Sequence, residues 1–308
     1  SQSPDLLKGI DSKRIATFQK AAGTALNKYR QYVQSDKISW TVIASPSEAW
    51  AEKVFPNLPK EKQVDALWDA IFKATRSDLD NPVEAWTKHN DTLHEKVHYL
   101  NAKKYAKLHY TAPGTDLTIE LPKGHLWCGA GSVNEKGEEF MANMPTEEVF
   151  TVPHKDGVNG YVSSTKPLSY GGNIIDNFKI TFENGRITKV EAEQGEAVLK
   201  NLVATDEGSH RLGEVALVPH DSPISNSGLL FYNTLFDENA SNHLAIGSAY
   251  AFCLEGGKKM NREELEANGL NQSITHVDFM IGSAEMNIDG ITEDGKTEPV
   301  FRNGNWAF

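Results

Sequence analysis

The chain has 308 residues but only two cysteines, and it contains no run of 18 consecutive apolar residues. A membrane-spanning helix needs a run of about that length, so we expect no membrane span. The first residues, SQSPDLLKGIDSKR, lack the basic and then apolar order of a signal peptide. Because Cys128 and Cys253 stand at no redox or zinc spacing, we predict a cytoplasmic protein with two small buried thiols.

Positive charge is also scarce. The 31 lysines and arginines are outnumbered by 42 aspartates and glutamates, which gives a net charge of −11. Nucleic-acid binding requires clustered basic side chains, so the composition predicts no nucleic-acid partner. Internal repeats and low-complexity linkers are missing too, and apolar residues at 39% with charged residues at 24% are typical of an ordinary globular protein.

The pattern of the chain changes near residue 106. Before it, helical periodicity dominates, and the predicted elements are a helix from Ser12 to about Gln34, a strand over KISWTVIASP (37–46), a short helix opened by Ser45 or Ser47, a helix over 60–76, and a helix from Asn81-Pro82 to about Lys104. After it, strands dominate, with a hairpin at Asn184-Gly185 and one helix over about 241–254. We therefore predict an α+β fold, with a helical connecting region (1–105, one strand) followed by a β-rich domain (106–308).

The segment HEKVH matches a two-histidine zinc motif of helices. His94 and His98 would share one helix face, and Glu95 would be the base of a zincin protease. Lys96 places a positive charge inside the motif, and no third ligand is evident downstream. A solvated helix face is the alternative interpretation of these residues.

The β-rich part carries a second set of acids and imidazoles. Glu148 in PTEEVFTVP and Glu214 in RLGEVALVP interrupt apolar strands, although a carboxylate at a strand edge in water explains each one separately. Glu238 precedes the helix predicted over 241–254, on which His243 and Tyr250, seven residues apart, would point the same way.

The strand predicted in NQSITHVDFMIGS completes this set. His276 and Asp278 are two positions apart, so both side chains lie on the same side of the sheet. Several acids buried together need compensating positive charge, and carboxylates with imidazoles suit divalent zinc, cobalt or manganese. The residues therefore indicate a hydrolytic centre with two metal ions.

The segments EEVFTVP, RLGEVALVP, NTLFDENASNHLAIGSAY and HVDFMIGS resemble the signature blocks of the aminopeptidase T family of metallo-aminopeptidases, which also contains aminopeptidase S and PepS. The similarity extends through SWTVIASPSEAWAEKVFP and LNAKKYAKLHY, so it covers essentially the whole chain. The resemblance implies a homodimeric peptidase that removes the first residue of peptides with a free N-terminus.

The resemblance also implies residue roles. The implied metal ligands are Glu148, Glu214, His243, His276 and Asp278, with Tyr250 assisting catalysis. Glu238 is a further ligand or the base that activates water, and β-rich residues 106–308 would be the catalytic domain with a metal-bearing helix.

Two departures from the family pattern leave alternatives open. Glu147 precedes Glu148 where the family has a small residue, and alternation along a strand lets only one of them face the metals. Family members also carry about 100 further residues upstream, the size of an ordinary domain, so the chain resembles a fragment. The competing hypothesis is therefore a metal-stabilised binding or assembly module without catalytic activity, or an inactive fragment.

Overall fold

The computed structural model describes residues 36–308 and, ahead of them, residues 6, 7, 9, 10, 14, 17, 18, 21, 22 and 25–34. Helices dominate up to residue 103 and strands after it. The α-helices are α1 (Asn27–Gln34), α2 (Glu48–Val54), α3 (Lys60–Ala74), α4 (Pro82–Lys103), α5 (Glu196–Val203), α6 (Pro223–Asn226), α7 (Thr234–Asp237) and α8 (Arg262–Ala267). Helix-rich and strand-rich parts follow one another, which confirms the predicted α+β class.

The strands form two large antiparallel sheets and one small one. They are β1 (Lys107–Ala112), β2 (Thr115–Glu120), β3 (Cys128–Gly129), β4 (Ser132–Val133), β5 (Glu139–Phe140), β6 (Val149–Thr151), β7 (Val158–Ser163), β8 (Leu168–Tyr170), β9 (Asn173–Glu183), β10 (Arg186–Gln194), β11 (Leu212–Leu217), β12 (His243–Gly247), β13 (His276–Met280), β14 (Asn287–Ile291), β15 (Thr297–Arg302) and β16 (Asn305–Trp306). The nine-stranded sheet has the order β10-β9-β7-β2-β1-β14-β15-β16, with β8 beside β9, and the five-stranded sheet has the order β13-β12-β11-β6-β3. Strands β4 and β5 pair with each other.

Local capping and turn signals predicted several elements correctly. The Ser47 hydroxyl accepts a hydrogen bond from the Trp50 amide at the start of α2, and the Asn81 side chain accepts one from the Glu84 amide at the start of α4. The hairpin between β9 and β10 turns at Asn184 and Gly185, both with positive φ. These side chains accept hydrogen bonds from amides at a helix start or tolerate a tight turn. Each feature involves residues close together in the sequence, so a short segment is enough to predict it.

Two predicted elements are wrong. The segment 37–46 is not a strand, because Val42 forms only an isolated bridge with Asn143. The helix predicted over 241–254 is instead the strand β12, paired on both sides by β11 and β13. All five residues of β12 are buried, and a continuous buried run has no periodicity that separates strand from helix. The predicted cap Ser12 lies outside the described residues.

The five-stranded sheet has two different faces. Side chains alternate along each strand, so Val215, Leu244 and Phe279 point into the main hydrophobic core, which they share with the nine-stranded sheet. The residues next to them in sequence point to the opposite face. That second face carries the acids and histidines of the candidate site.

A second core joins distant parts of the chain. Trp50 of α2 and Leu67 of α3 pack with Phe231 and Phe236, and the Trp50 indole donates a hydrogen bond to the Phe231 carbonyl. Helices α2 and α3 are therefore anchored on the segment that carries Glu238. None of the described helices has both the length and the apolar composition needed to cross a membrane.

Candidate metal centre

The sequence-predicted ligands meet on the second face of the five-stranded sheet. In the strand register, Glu214 of β11 stands opposite Ala245 of β12, and Ala245 stands opposite Asp278 of β13. His243 and His276 lie two positions from Ala245 and Asp278 along the same strands, so they share this face. The small Ala245 side chain between two carboxylates leaves space in the middle of the group.

Each histidine is oriented by a backbone carbonyl. His243 Nδ1 lies 3.0 Å from the Ser241 carbonyl oxygen, and His276 Nδ1 lies 2.8 Å from the Ser248 carbonyl oxygen. A carbonyl oxygen only accepts hydrogen bonds, so Nδ1 is the protonated donor in both rings. Both Nε2 atoms therefore point towards the carboxylates, as in histidine metal ligands held by a second hydrogen bond.

Glu214 connects two groups of potential ligands. Its Oε1 lies 3.7 Å from His243 Nε2, and its Oε2 lies 3.5 Å from His276 Nε2. His243 Nε2 is also 3.0 Å from Glu148 Oε2, and His276 Nε2 is 3.6 Å from Asp278 Oδ1. The potential ligand atoms of Glu148, Glu214 and His243 lie within 4.8 Å of one another, as do those of Glu214, His276 and Asp278.

Burial and charge shift the pKa values of these groups in opposite directions. Burial raises the pKa of the Glu148 carboxyl above its usual value, although a hydrogen bond with His243 acts against it. Burial also favours a higher pKa for Glu214, but hydrogen bonds with both histidines outweigh it and lower this pKa to about 2. The shared carboxylate therefore stays ionised at neutral pH.

Two further predicted residues border the same group. Glu238 lies in a short 3-10 turn, and burial together with Asp278 and Glu148 raises its pKa well above the usual value. Tyr250 follows β12 with an extended backbone, and its ring centroid is 4.8 Å from that of His276. Burial and then Glu214 raise the pKa of its hydroxyl well above 10. The expected helix face does not exist, yet His243 and Tyr250 line one cavity.

The structure separates the two adjacent glutamates. Glu148 faces the histidines, whereas Glu147 points the other way and forms a bidentate ion pair with Arg76, with His89 beside it at 3.4 Å. The Glu147 amide donates a hydrogen bond of 2.7 Å to the Asn239 side chain. Nothing local in the sequence predicts these contacts, because the partners lie 71 and 92 residues away along the chain. They fix the backbone immediately before Glu148.

The HEKVH motif contributes no residue to either ligand group, although His94 lines the same cavity. His94 and His98 stack on α4 with ring centroids 6.3 Å apart, and Glu95 and His98 are exposed. Lys96 donates a hydrogen bond to the Phe308 carbonyl oxygen. Among the described residues, no third potential ligand stands close enough to complete a metal site with the two histidines. The zincin alternative is therefore not favoured.

A cavity of about 750 Å³ opens onto the ligands. Its lining includes Phe150 and Phe252, which the sequence did not single out, and Cys128, which was expected to be buried but is only half-buried. Phe150 could have been found, because it lies two positions after Glu148 in an extended segment. Phe252 and Cys128 lie on other segments of the chain, and only the tertiary fold brings them to the cavity. An open cavity beside the ligands suits a reacting centre better than a closed structural metal site.

The residues fit a divalent metal centre. Asp278 Oδ1 is buried and has no hydrogen-bond partner among the described residues, which is costly for a carboxylate oxygen. The Nε2 atoms of His243 and His276 face several carboxylates, and such nitrogen and oxygen donors bind zinc, cobalt or manganese. A cation among them also offsets the repulsion between the buried acids.

Comparison with known proteins decides the family. The family model for Peptidase M29, thermophilic metalloprotease (M29), matches residues 1–306. The chain belongs to the M29 family. Aminopeptidase AmpS of Bacillus subtilis (strain 168) is 73% identical over 308 residues, and aminopeptidase T of Thermus thermophilus is 46% identical over 304 residues. The chain is thus a metallo-aminopeptidase, which confirms the resemblance read from the four sequence blocks.

Solved structures agree with the M29 assignment. Wild-type AmpT from Thermus thermophilus superposes with a TM-score of 0.93 at 44% identity, and the match covers 100% of this chain and 75% of that one. The chain likewise covers 75% of the length of AmpS. A 2,5-dihydroxypyridine dioxygenase from Pseudomonas putida KT2440 has a TM-score of 0.53 at 13% identity, which shows a shared fold alone.

Proposed function

We propose that this M29 chain removes the first residue of peptides by hydrolysis at a centre of two divalent metal ions. Glu148, Glu214 and His243 would hold one ion, and Glu214, His276 and Asp278 the other. The observation that carries the proposal is the position of Glu214, whose two oxygens face different histidines at 3.7 and 3.5 Å. One carboxylate shared in this way suits a pair of ions bridged by an acid.

When bound, such ions supply Lewis acidity towards water and the peptide carbonyl. The protein supplies the proton transfers. Glu238 lines the cavity outside both ligand groups, so its carboxylate can accept the proton that the attacking water loses. The raised pKa of Glu238 makes it a stronger base than an exposed glutamate.

Tyr250 stabilises the charge that develops on the substrate. Its raised pKa keeps the hydroxyl protonated at neutral pH, so it can donate a hydrogen bond to the carbonyl oxygen as that oxygen becomes negative. The acidic end of the cavity receives the free α-amino group, which limits cleavage to the first residue. Residues 106–308 then form the catalytic domain, residues 1–105 the connecting region, and two copies a homodimer.

Metal analysis of three purified proteins tests the proposal. We expect the wild type to bind two zinc or cobalt ions per chain and to release leucine from a leucyl peptide but not from its N-acetylated form. The variant His276→Ala loses bound metal because it removes an imidazole from one ligand group. The matched variant His94→Ala keeps it, since His94 belongs to neither group.

Three results would contradict the proposal. Loss of metal in His94→Ala alone would move the site to α4. A single ion per chain would remove the bridging role of Glu214. Tightly held metal without release of leucine would support the binding-module hypothesis.

A further inference from the structure

Three aromatic side chains form a continuous surface beside the ligands. This aromatic wall consists of Phe150, Tyr250 and Phe252. The Tyr250 and Phe252 rings stack with centroids 5.2 Å apart and an angle of 21° between planes. Phe150 meets both of them edge to face, at 6.2 Å from Tyr250 and 6.1 Å from Phe252.

The wall begins at the ligand shell and extends away from it. Phe150 lies on the same side of its strand as Glu148, two residues earlier. Tyr250 contacts His276 with ring centroids 4.8 Å apart. All three rings line the cavity and are only half-buried. When an apolar ligand group covers half-buried aromatic surface in a cavity, the free energy of the complex falls because apolar surface leaves water.

The far end of the wall offers no free positive charge. Lys258 Nζ stands 5.9 Å from the centroid of the Phe252 ring and forms an ion pair of 3.3 Å with Asp36. Among the described residues of the cavity lining, Lys258 is the one lysine or arginine. An acidic group against the wall would lose its water and meet the carboxylates of Glu148 and Asp278.

We propose that the aromatic wall binds the side chain of the first substrate residue and selects apolar side chains, aromatic ones above all, over acidic ones. This inference rests on the proposed function. Under the proposed function, the α-carbon of that residue lies between an amino group and a scissile carbonyl that are both held at the centre. Its side chain therefore points away from the centre and contacts the aromatic wall, which borders the ligands directly.

Binding of reaction products tests the wall without requiring turnover. Calorimetry on the zinc-loaded protein with free L-phenylalanine, L-alanine and L-glutamate should give that order of affinity. In Phe252→Ala the preference for phenylalanine over alanine should fall roughly threefold to tenfold, the range expected for one aromatic contact. Phe252→Leu retains part of the preference because it keeps apolar surface.

Phe72→Ala is the matched control, since Phe72 is a partly exposed ring that stacks on Trp68 and is not part of the cavity lining. The Phe72→Ala variant should have the same preference for phenylalanine over alanine as the wild type. Equal affinity of the wild type for the three amino acids, or an unchanged preference in both Phe252 variants, would overturn the inference.

A second measurement separates this inference from the proposed function. Peptides that differ only at the first or only at the second residue are compared by kcat/KM. If the Phe252 substitutions change kcat/KM mainly for peptides that differ at the first residue, the result supports the inference. If they change kcat/KM only for peptides that differ at the second residue, the result overturns it. Absence of turnover with all peptides, together with the expected binding order, would reject the proposed function and keep the wall as an amino-acid site.

Discussion

At the scale of single residues, the site depends on which atom of each side chain is free to react. The carbonyls of Ser241 and Ser248 engage Nδ1 of the two histidines, so only Nε2 faces the acids. In the part of the chain that the structure describes, Asp278 Oδ1 has no hydrogen-bond partner. These contacts prepare the side chains for a cation before any substrate arrives.

Tyr250→Phe tests the proposed role of the hydroxyl. The substitution keeps the ring and its contacts with His276 and Phe252, but it removes the hydrogen-bond donor. We expect kcat to fall about 100-fold, the usual effect of losing one donor to the developing oxyanion. Metal content, measured in parallel, should match that of the wild type. Full turnover with metal bound would remove Tyr250 from the mechanism.

The sequence draws attention to these residues more readily than to the contacts around them. Glu148, Glu214, His276 and Asp278 are conspicuous because each interrupts an apolar strand, and alternation correctly left Glu147 on the opposite side. The aromatic wall and the Arg76–Glu147 ion pair were not predictable in the same way. Their partners lie far apart in the chain, and no local pattern links residue 150 to residue 252 or residue 76 to residue 147.

At the scale of elements, the main error concerns β12. His243 and Tyr250 fit two turns of a helix, yet β11 and β13 pair with this segment along its length and make it a central strand. Propensity is a weak signal for a short buried segment, because the neighbouring strands decide its conformation. The caps at Ser47 and Asn81 were predictable because their hydrogen bonds span only three residues.

Ala245→Val tests the space at the centre of β12. Ala245 is fully buried between Glu214 and Asp278, so two added methyl groups would occupy the space between the carboxylates. We expect zinc affinity to fall roughly 10- to 100-fold, as for other changes next to metal ligands. The strand itself favours valine, so the protein should still fold.

Ala245→Gly is the matched control, since it keeps the space open and only weakens the strand. Titration of metal-free protein with zinc compares the affinities, and circular dichroism checks the fold. Wild-type zinc affinity in Ala245→Val would show that the ions do not lie between Glu214 and Asp278.

At the scale of the whole molecule, one core face and one charged face share the same five strands. Apolar side chains of these strands hold the two large sheets together, and the acids beside them repel one another on the other face. Part of the stability of the fold therefore depends on whatever neutralises the acids.

Metal removal should lower the thermal stability of the entire chain. A ligand that binds only the folded state at 100 times its Kd adds about 2.7 kcal/mol to the free energy of unfolding. We expect the melting temperature to fall by several degrees after chelation and to recover with zinc. His94→Ala should behave like the wild type, and His276→Ala should recover little. A melting temperature independent of zinc would contradict metal binding at these acids.

The second core has a consequence for how the chain is made. Trp50 depends on Phe231 for its packing and its hydrogen bond, and the two residues are 181 positions apart. On the ribosome, the apolar surfaces of α2 and α3 emerge long before the segment that covers them. Contacts of such long sequence separation form slowly, and exposed apolar surface invites aggregation in the meantime. Helices α2 and α3 therefore wait for partners that are synthesised much later, and binding of a chaperone during this interval would protect their apolar surfaces from aggregation.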